Sequence, residues 1–352
     1  MVMSVNWDMH LPFAAAAVLI VAGIVASRSL RSWFLEHDEE AADAFERLLD
    51  GPYEVEKIPA SSIFSEATKS LSIIVPAFNE EKRLPSTLDE TLRYLQRRRD
   101  AQGANFTYEV VVVDDGSSDG TSHQAFKHVR QYGIDTVRVL RLPRNHGKGY
   151  AVKTGMMVGR GELLLFMDAD GATRVSDIEK LEAALAAILV PGRTDRMGAS
   201  EGVDVVEGMS PSEKVGMAVG SRAHLEAEAI AHRSWHRNLL MHGFHFVVLL
   251  VAGSAVKDTQ CGFKLFTRKA AQLLYSNQRL QRWCFDVELL FLAQLLGVPT
   301  VETSVTWMEI PGSKVAVTSI IHMIWEMAAI LIAYKLLGIW TVRFPAEVNK
   351  LV

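Results

Sequence analysis

Cysteine is scarce in this chain: residues Cys261 and Cys284 are the only two among 352. They have no metal-ligand spacing, and a secreted domain of this size would more often carry several pairs, so a reducing compartment is the simpler reading. Excess charge of one sign is missing as well. The 37 Lys and Arg are set against 41 Asp and Glu, a net charge of −4. There is no global basic surface, which argues against nucleic acid as a partner. No internal repeat is present. Gly147-Lys148-Gly149 lacks the spacing of a Walker A loop. Arg282-Trp283 lacks the Gln three positions earlier that processive polysaccharide synthases carry, because Arg279 stands there.

What is present suffices for one large α/β domain with attachments. An uncharged run from Leu11 to Ser27 precedes Arg28 and Arg31. Its length is near the lower limit for spanning a bilayer core. A cleaved signal peptide would have a basic start, whereas this one has no Lys or Arg there and carries Asp8. The expectation is a retained N-terminal transmembrane anchor over residues 1–35, with the bulk of the chain in the cytosol by the positive-inside tendency. Residues 36–69 read as a tether, helical and acidic over 36–60.

From Leu71 an alternation of strands and helices begins, the mark of a largely parallel sheet. Strands are expected at Leu71–Pro76, Val110–Asp114, Val137–Leu142, Glu162–Met167 and Val215–Gly220. Helices are expected at Asp119–Tyr132, Lys148–Gly159 and Phe285–Leu296, with another opened by a Ser86/Asp89 capping box. The catalytic domain spans 70–314, with a solvated insertion at 191–213 and, within 235–256, a helix that reads equally as interfacial or as ordinarily buried. A C-terminal amphipathic helix over 315–352, with Trp325, Met327 and Ile330 at helical spacing, is expected to lie at a membrane interface. His232 and His236, an i, i+4 pair, read as solvated or membrane-proximal rather than as a zinc site.

In an open α/β sheet, ligands collect at the carboxyl ends of the strands, and the polar clusters of this sequence fall there. Pro76-Ala-Phe-Asn79-Glu80-Glu81 follows the first strand and Asp114-Asp115-Gly-Ser-Ser-Asp119-Gly-Thr121 the second. Asn145-His-Gly-Lys148-Gly149 follows the third and Asp168-Ala-Asp170 the fourth. Taken singly, each could be a turn or a cap. Alternation along a strand would aim Asp168 and Asp170 to one side, where two carboxylates repel unless a cation joins them. Mg²⁺ or Mn²⁺ on a diphosphate fits that arrangement.

Val75-Pro-Ala-Phe-Asn79-Glu80, the Asp114–Thr121 stretch and Asp168-Ala-Asp170 resemble the large inverting glycosyltransferase family 2. Gly220-Ser-Arg222, Asp258-Thr-Gln-Cys-Gly-Phe-Lys-Leu-Phe266, Arg282-Trp-Cys-Phe-Asp286-Val-Glu288 and Pro311-Gly-Ser-Lys314 are similar to the branch that glucosylates dolichyl phosphate for N-glycan assembly. The resemblance covers about residues 70–315. It implies a GT-A fold, Rossmann-like with a mostly parallel sheet, and a UDP-glucose donor. It also implies a dolichyl-phosphate (polyprenyl-phosphate) acceptor at the endoplasmic reticulum membrane; a mannosyl version using GDP-mannose is the nearest alternative.

By this resemblance Pro76, Ala77, Glu80 and Asp115 hold the uridine, within a donor-binding set that includes Asn79 and Asp119. Lys148 faces the diphosphate, and Asp168 and Asp170 face metal and sugar. Asp286 belongs on the sugar or acceptor side. Mannosyl relatives often carry a further metal-side group where this chain has Ala172. Arg222 and Lys314 are candidates for the acceptor phosphate, since guanidinium and ammonium groups match that anion. The lipid phosphate is already ionised at neutral pH, so no general base is assigned.

Overall fold

The computed structural model describes residues 49–50, 57–189, 214–223, 256–310, 317–348 and 350. The expected anchor, the 191–213 insertion, residues 235–255, the histidine pair 232/236 and Lys314 lie outside them. Among the described residues no helix is long and apolar enough to cross a membrane.

Among the described residues nine strands form one sheet: β1 (Leu49–Asp50), β2 (Lys57–Ile58), β3 (Lys69–Ala77), β4 (Tyr108–Asp114), β5 (Val137–Arg141), β6 (Gly161–Met167), β7 (Met217–Ser221), β8 (Phe263–Thr267) and β9 (Thr300–Ser304). Their order is β2-β1-β5-β4-β3-β6-β8-β7-β9. The central strands β5, β4, β3 and β6 run parallel. β8 pairs antiparallel with β6 and β7, and β9 returns parallel to β7. The pairing of β1 with β2 and β5 corrects the sequence reading at 49–50 and 57–58, which had assigned these residues to a helical tether.

Side-chain alternation divides the core between the two faces of the sheet. Ile74, Val111, Val113 and Phe166 pack on one face with α3 (Lys148–Met157), α5 (Arg268–Asn277) and α6 (Phe285–Leu295). Ile73, Val75, Val110 and Val112 pack on the other with α1 (Leu84–Gln102), α2 (Thr121–Tyr132) and α4 (Ile178–Ile188). Helix α1 meets the sheet through Leu84, Leu88, Leu92 and Leu95, whose spacing makes one apolar stripe. It has no capping box. Pro85 stands in its first turn, Ser86 donates back to the Arg83 carbonyl, and Asp89 bonds His128 instead.

The C-terminal layer is α7 (Val317–Ile330), a π-helical turn at Leu331–Leu336, and the short α8 (Pro345–Val348). Met327, Ile330 and Ala333 are buried, whereas Trp325 is 42% exposed. Trp325 and Met327 are two residues apart, about 200° around a helix, so the grouping of Trp325 with Met327 and Ile330 on one face is corrected.

Candidate active site

The order β5-β4-β3-β6 reverses its direction of chain progression at β3, and the crevice at such a switch point is where α/β sheets bind ligands. A cavity of about 460 Å³ opens there. Pro76, Ala77, Glu80, Asp115, Lys148, Asp168 and Asp170 all line it. Because β8 runs against β6, residues just before β8 reach the same edge.

Asp115 follows β4 and gathers the loop before α3. Its Oδ1 accepts the His146 N–H at 2.8 Å, and its Oδ2 accepts the Gly147 N–H at 2.8 Å and Asn145 Nδ2 at 3.0 Å. Oδ1 keeps acceptor capacity for a ligand N–H. Burial pushes the Asp115 carboxyl up to about 6, against the opposing pull of the His146 and Gly147 amides. Gly147, at φ 109°, is where the loop turns into α3, and a Cβ there would meet the Gln281 carbonyl at 2.7 Å.

Helix α3 has no side-chain cap. Its Gly149 and Tyr150 N–H groups donate instead to the Arg282 and Gln281 carbonyls. Two buried carboxylates hold the same 279–284 segment from its other side. Glu288 accepts the Arg279 and Leu280 N–H groups and the Tyr334 hydroxyl, and Glu326 of α7 accepts those of Trp283 and Cys284. The segment thereby presents Arg282 and Trp283 to the cavity.

Lys148 Nζ lies 2.7 Å from Asp168 Oδ1. Burial works to lower the Lys148 pKa, but the charges of Asp168, Asp286 and Asp170 outweigh it and hold the ammonium above its ordinary value. The Asp170 carboxyl is raised, first by burial and then by Asp168. The two acids are brought together by a turn rather than by strand alternation: β6 ends at Met167, Gly171 adopts φ 75°, and Asp170 Oδ1 accepts the Ala172 N–H. Gly262 lies directly against Asp168, such that a Cβ on it would fall 2.1 Å from Oδ2.

A divalent cation fits this donor set. Two neighbouring carboxylates, one of them held above its ordinary pKa by burial and then by the other's charge, are short of positive charge. Hard oxygen donors suit Mg²⁺ or Mn²⁺, which fill the remaining positions with water and phosphate oxygens. Among the described residues no cluster of three or more His, Cys, Asp or Glu could hold a metal by itself.

Several expected site residues do other work. Asn79, in the left-handed region at φ 52°, accepts the Ser118 N–H, and Asp119 accepts the Glu81 and Thr121 N–H groups. Both pin the loops after β3 and β4 to each other and do not line the cavity. Arg222, a candidate for the acceptor phosphate, is engaged by Asp258 through Nε at 2.7 Å and Nη2 at 2.8 Å. It reaches the cavity only through Trp307, whose ring lies 5.5 Å from its guanidinium. Asp286 is 3% exposed and paired with the fully buried Lys264. It does not line the cavity, and its charge acts on Lys148.

The structure adds residues that the sequence reading passed over. Arg83 lines the cavity while clamped on Glu80 at 2.7 and 2.6 Å. Trp307 is carried in by pairing of Thr173 with Trp307 and of the Ala172 carbonyl with the Met308 N–H. Arg282 and Trp283 were visible as a dipeptide but were set aside because the Gln register failed.

Residues 72–194 match the family described as Glycosyl transferase family 2. Over 337 residues the chain is 43% identical to a human dolichyl-phosphate beta-glucosyltransferase, covering 95% of each chain. The Saccharomyces cerevisiae dolichyl-phosphate beta-glucosyltransferase is 36% identical over 275 residues, 77% of this chain and 76% of that one. A solved structure, glucosyl-3-phosphoglycerate synthase from Mycobacterium tuberculosis, is 16% identical over 76% of this chain and 80% of its own, with a TM-score of 0.45.

Proposed function

Given that the chain belongs to glycosyltransferase family 2, among its dolichyl-phosphate beta-glucosyltransferases, we propose that it moves glucose from UDP-glucose to dolichyl phosphate. The product is dolichyl β-D-glucosyl phosphate. One observation supports this reading of the site: the Asp115 carboxylate, the Lys148 ammonium and the carboxylate pair of Asp168 and Asp170 share one cavity at the switch point.

Pro76, Ala77 and Asp115 hold the uridine, with Asp115 Oδ1 accepting from the base. Lys148 and Arg282 neutralise the diphosphate. Asp168 and Asp170 would hold Mg²⁺ or Mn²⁺, which supplies Lewis-acid stabilisation of the charge growing on the leaving UDP. An oxygen of the lipid phosphate attacks the anomeric carbon as the bond to the UDP oxygen breaks, inverting an α-linked donor to a β-linked product. Trp283 and Trp307 wall the sugar side and exclude water. The uncharged run before Arg28 and Arg31 supports anchoring in the endoplasmic reticulum membrane with this pocket on the cytosolic side.

The reading is tested by transfer of labelled sugar to dolichyl phosphate in detergent, with and without Mg²⁺ or Mn²⁺. Metal-dependent glucosyl lipid from UDP-glucose is expected. Product from GDP-mannose alone would move the specificity to mannose and overturn the glucose assignment.

Asp115 adds a pH dependence. The base contact needs the ionised carboxylate, which is lost as pH falls through about 6. UDP affinity should therefore weaken by roughly tenfold from pH 7 to pH 5. Asp115→Asn should bind more weakly at pH 7 and lose most of that pH dependence. Parallel pH profiles for the variant and the parent would remove Asp115 from the base contact.

A further inference from the structure

Arg282 and Trp283 line the donor cavity, and the backbone around them is bonded to three separate helices. The Gln281 and Arg282 carbonyls accept the Tyr150 and Gly149 N–H groups of α3 at 2.9 and 3.0 Å. The Arg279 and Leu280 N–H groups donate to Glu288 of α6 at 2.9 and 2.7 Å. The Trp283 and Cys284 N–H groups both donate to Oε2 of Glu326 in α7, at 3.1 and 2.9 Å. Cys284 Sγ adds a contact with the Met323 carbonyl, one turn earlier in α7, at 3.3 Å.

These restraints are unequal. Toward α3 the segment is stopped by close packing: a Cβ at Gly147 would fall 2.7 Å from the Gln281 carbonyl, and one at Gly149 would fall 2.9 Å from that of Leu280. The segment has room to yield only away from α3. Glu288 belongs to the helix that the segment runs into, whereas Glu326 stands 42 residues beyond Cys284 on a different helix. Glu326 is 8% exposed, and two amides deprived of a buried acceptor would be drawn toward new partners. No hydrogen bond or ion pair to a described residue holds the Arg282 guanidinium itself, so its backbone sets its place.

We infer that Glu326 is a positioning residue for the sugar-nucleotide donor: from the C-terminal helix, its carboxylate fixes the backbone that aims Arg282 and Trp283 into the cavity. The inference rests on the placing of Arg282 against the donor diphosphate. It gives the C-terminal layer a part in donor affinity, although Glu326 does not line the donor cavity.

The test titrates UDP, with Mn²⁺, into the full-length protein in detergent micelles. Glu326→Ala should weaken UDP about tenfold, the scale of effect that a small displacement of a binding group produces. The KM for UDP-glucose should rise in step while kcat stays within about threefold; a merely structural role would lower kcat through fewer active molecules and leave KM unchanged. Glu326→Gln keeps an oxygen of the same reach and should recover UDP affinity to within about threefold of the parent. Arg282→Ala should itself weaken UDP about tenfold, and Glu326→Ala added to it should cost less than about threefold more, because the two act as a unit. Glu326→Asp, which retracts the acceptor by one methylene, gives the same reading if the alanine variant does not fold. Unchanged UDP affinity in Arg282→Ala would overturn the diphosphate contact and this inference with it. Weakened affinity in Arg282→Ala, but parental affinity and KM in folded Glu326→Ala or Glu326→Asp, would overturn the inference alone.

Discussion

Asp170→Ala is expected to lower glucosyl transfer by about 10²–10³-fold, the usual cost of deleting a group that stabilises transition-state charge. The fold should survive, because Asp170 contributes one hydrogen bond to the turn, from the Ala172 N–H, and stands at the cavity wall rather than in the core. The loss should appear in kcat/KM at saturating Mn²⁺, with an unchanged unfolding midpoint. Asp168→Ala should behave similarly, with an added effect on Lys148, whose ammonium would lose the carboxylate 2.7 Å away. Full activity in Asp170→Ala would remove the paired-carboxylate basis of the mechanism.

The second large effect is on stability. Asp286→Ala should destabilise the protein by about 3–5 kcal/mol, because it strands the Lys264 ammonium without its counter-ion. Lys264 is fully buried, and its ammonium also donates to the Cys261 carbonyl. Replacing both partners, Lys264→Met with Asp286→Leu, should restore most of the loss, since two apolar groups leave no buried charge behind. Chemical denaturation of the two single variants and the double variant measures this directly. A cost under about 1 kcal/mol for Asp286→Ala would show that the pair does not hold this part of the core.

That contrast between Asp170 and Asp286 shows what could be read in advance. The parallel core was legible because β3 and β4 are short apolar runs bounded by turn residues, and four consecutive valines at 110–113 leave little room for another reading. The residues that line the cavity were legible because each lies at the carboxyl end of a strand or in the loop that follows it, so chain order already places it at that edge of the sheet. The ion pairs of Asp286 and Arg222 were not legible, for one physical reason. A sequence displays a charge but not its distant partner: Lys264 is 22 residues from Asp286, and Asp258 is 36 from Arg222. The backbone bonds of Asn79 and Asp119 were not legible either, because short polar side chains at strand ends bind backbone N–H groups as readily as ligands. Trp307 gave no signal of its own, since pairing of its segment with residues 172–174 carries it to the site.

The close approach of Gly262 to Asp168 has an evolutionary meaning. The three atoms nearest to a Cβ at 262 all belong to the Asp168 carboxyl group, which could rotate aside at small cost to folding. Any other residue there would leave an intact protein with a misdirected acid. Selection on position 262 therefore acts through turnover rather than through abundance, and the tolerance of the Asp168-Ala-Asp170 motif to genetic drift is set in part by a residue more than ninety positions away.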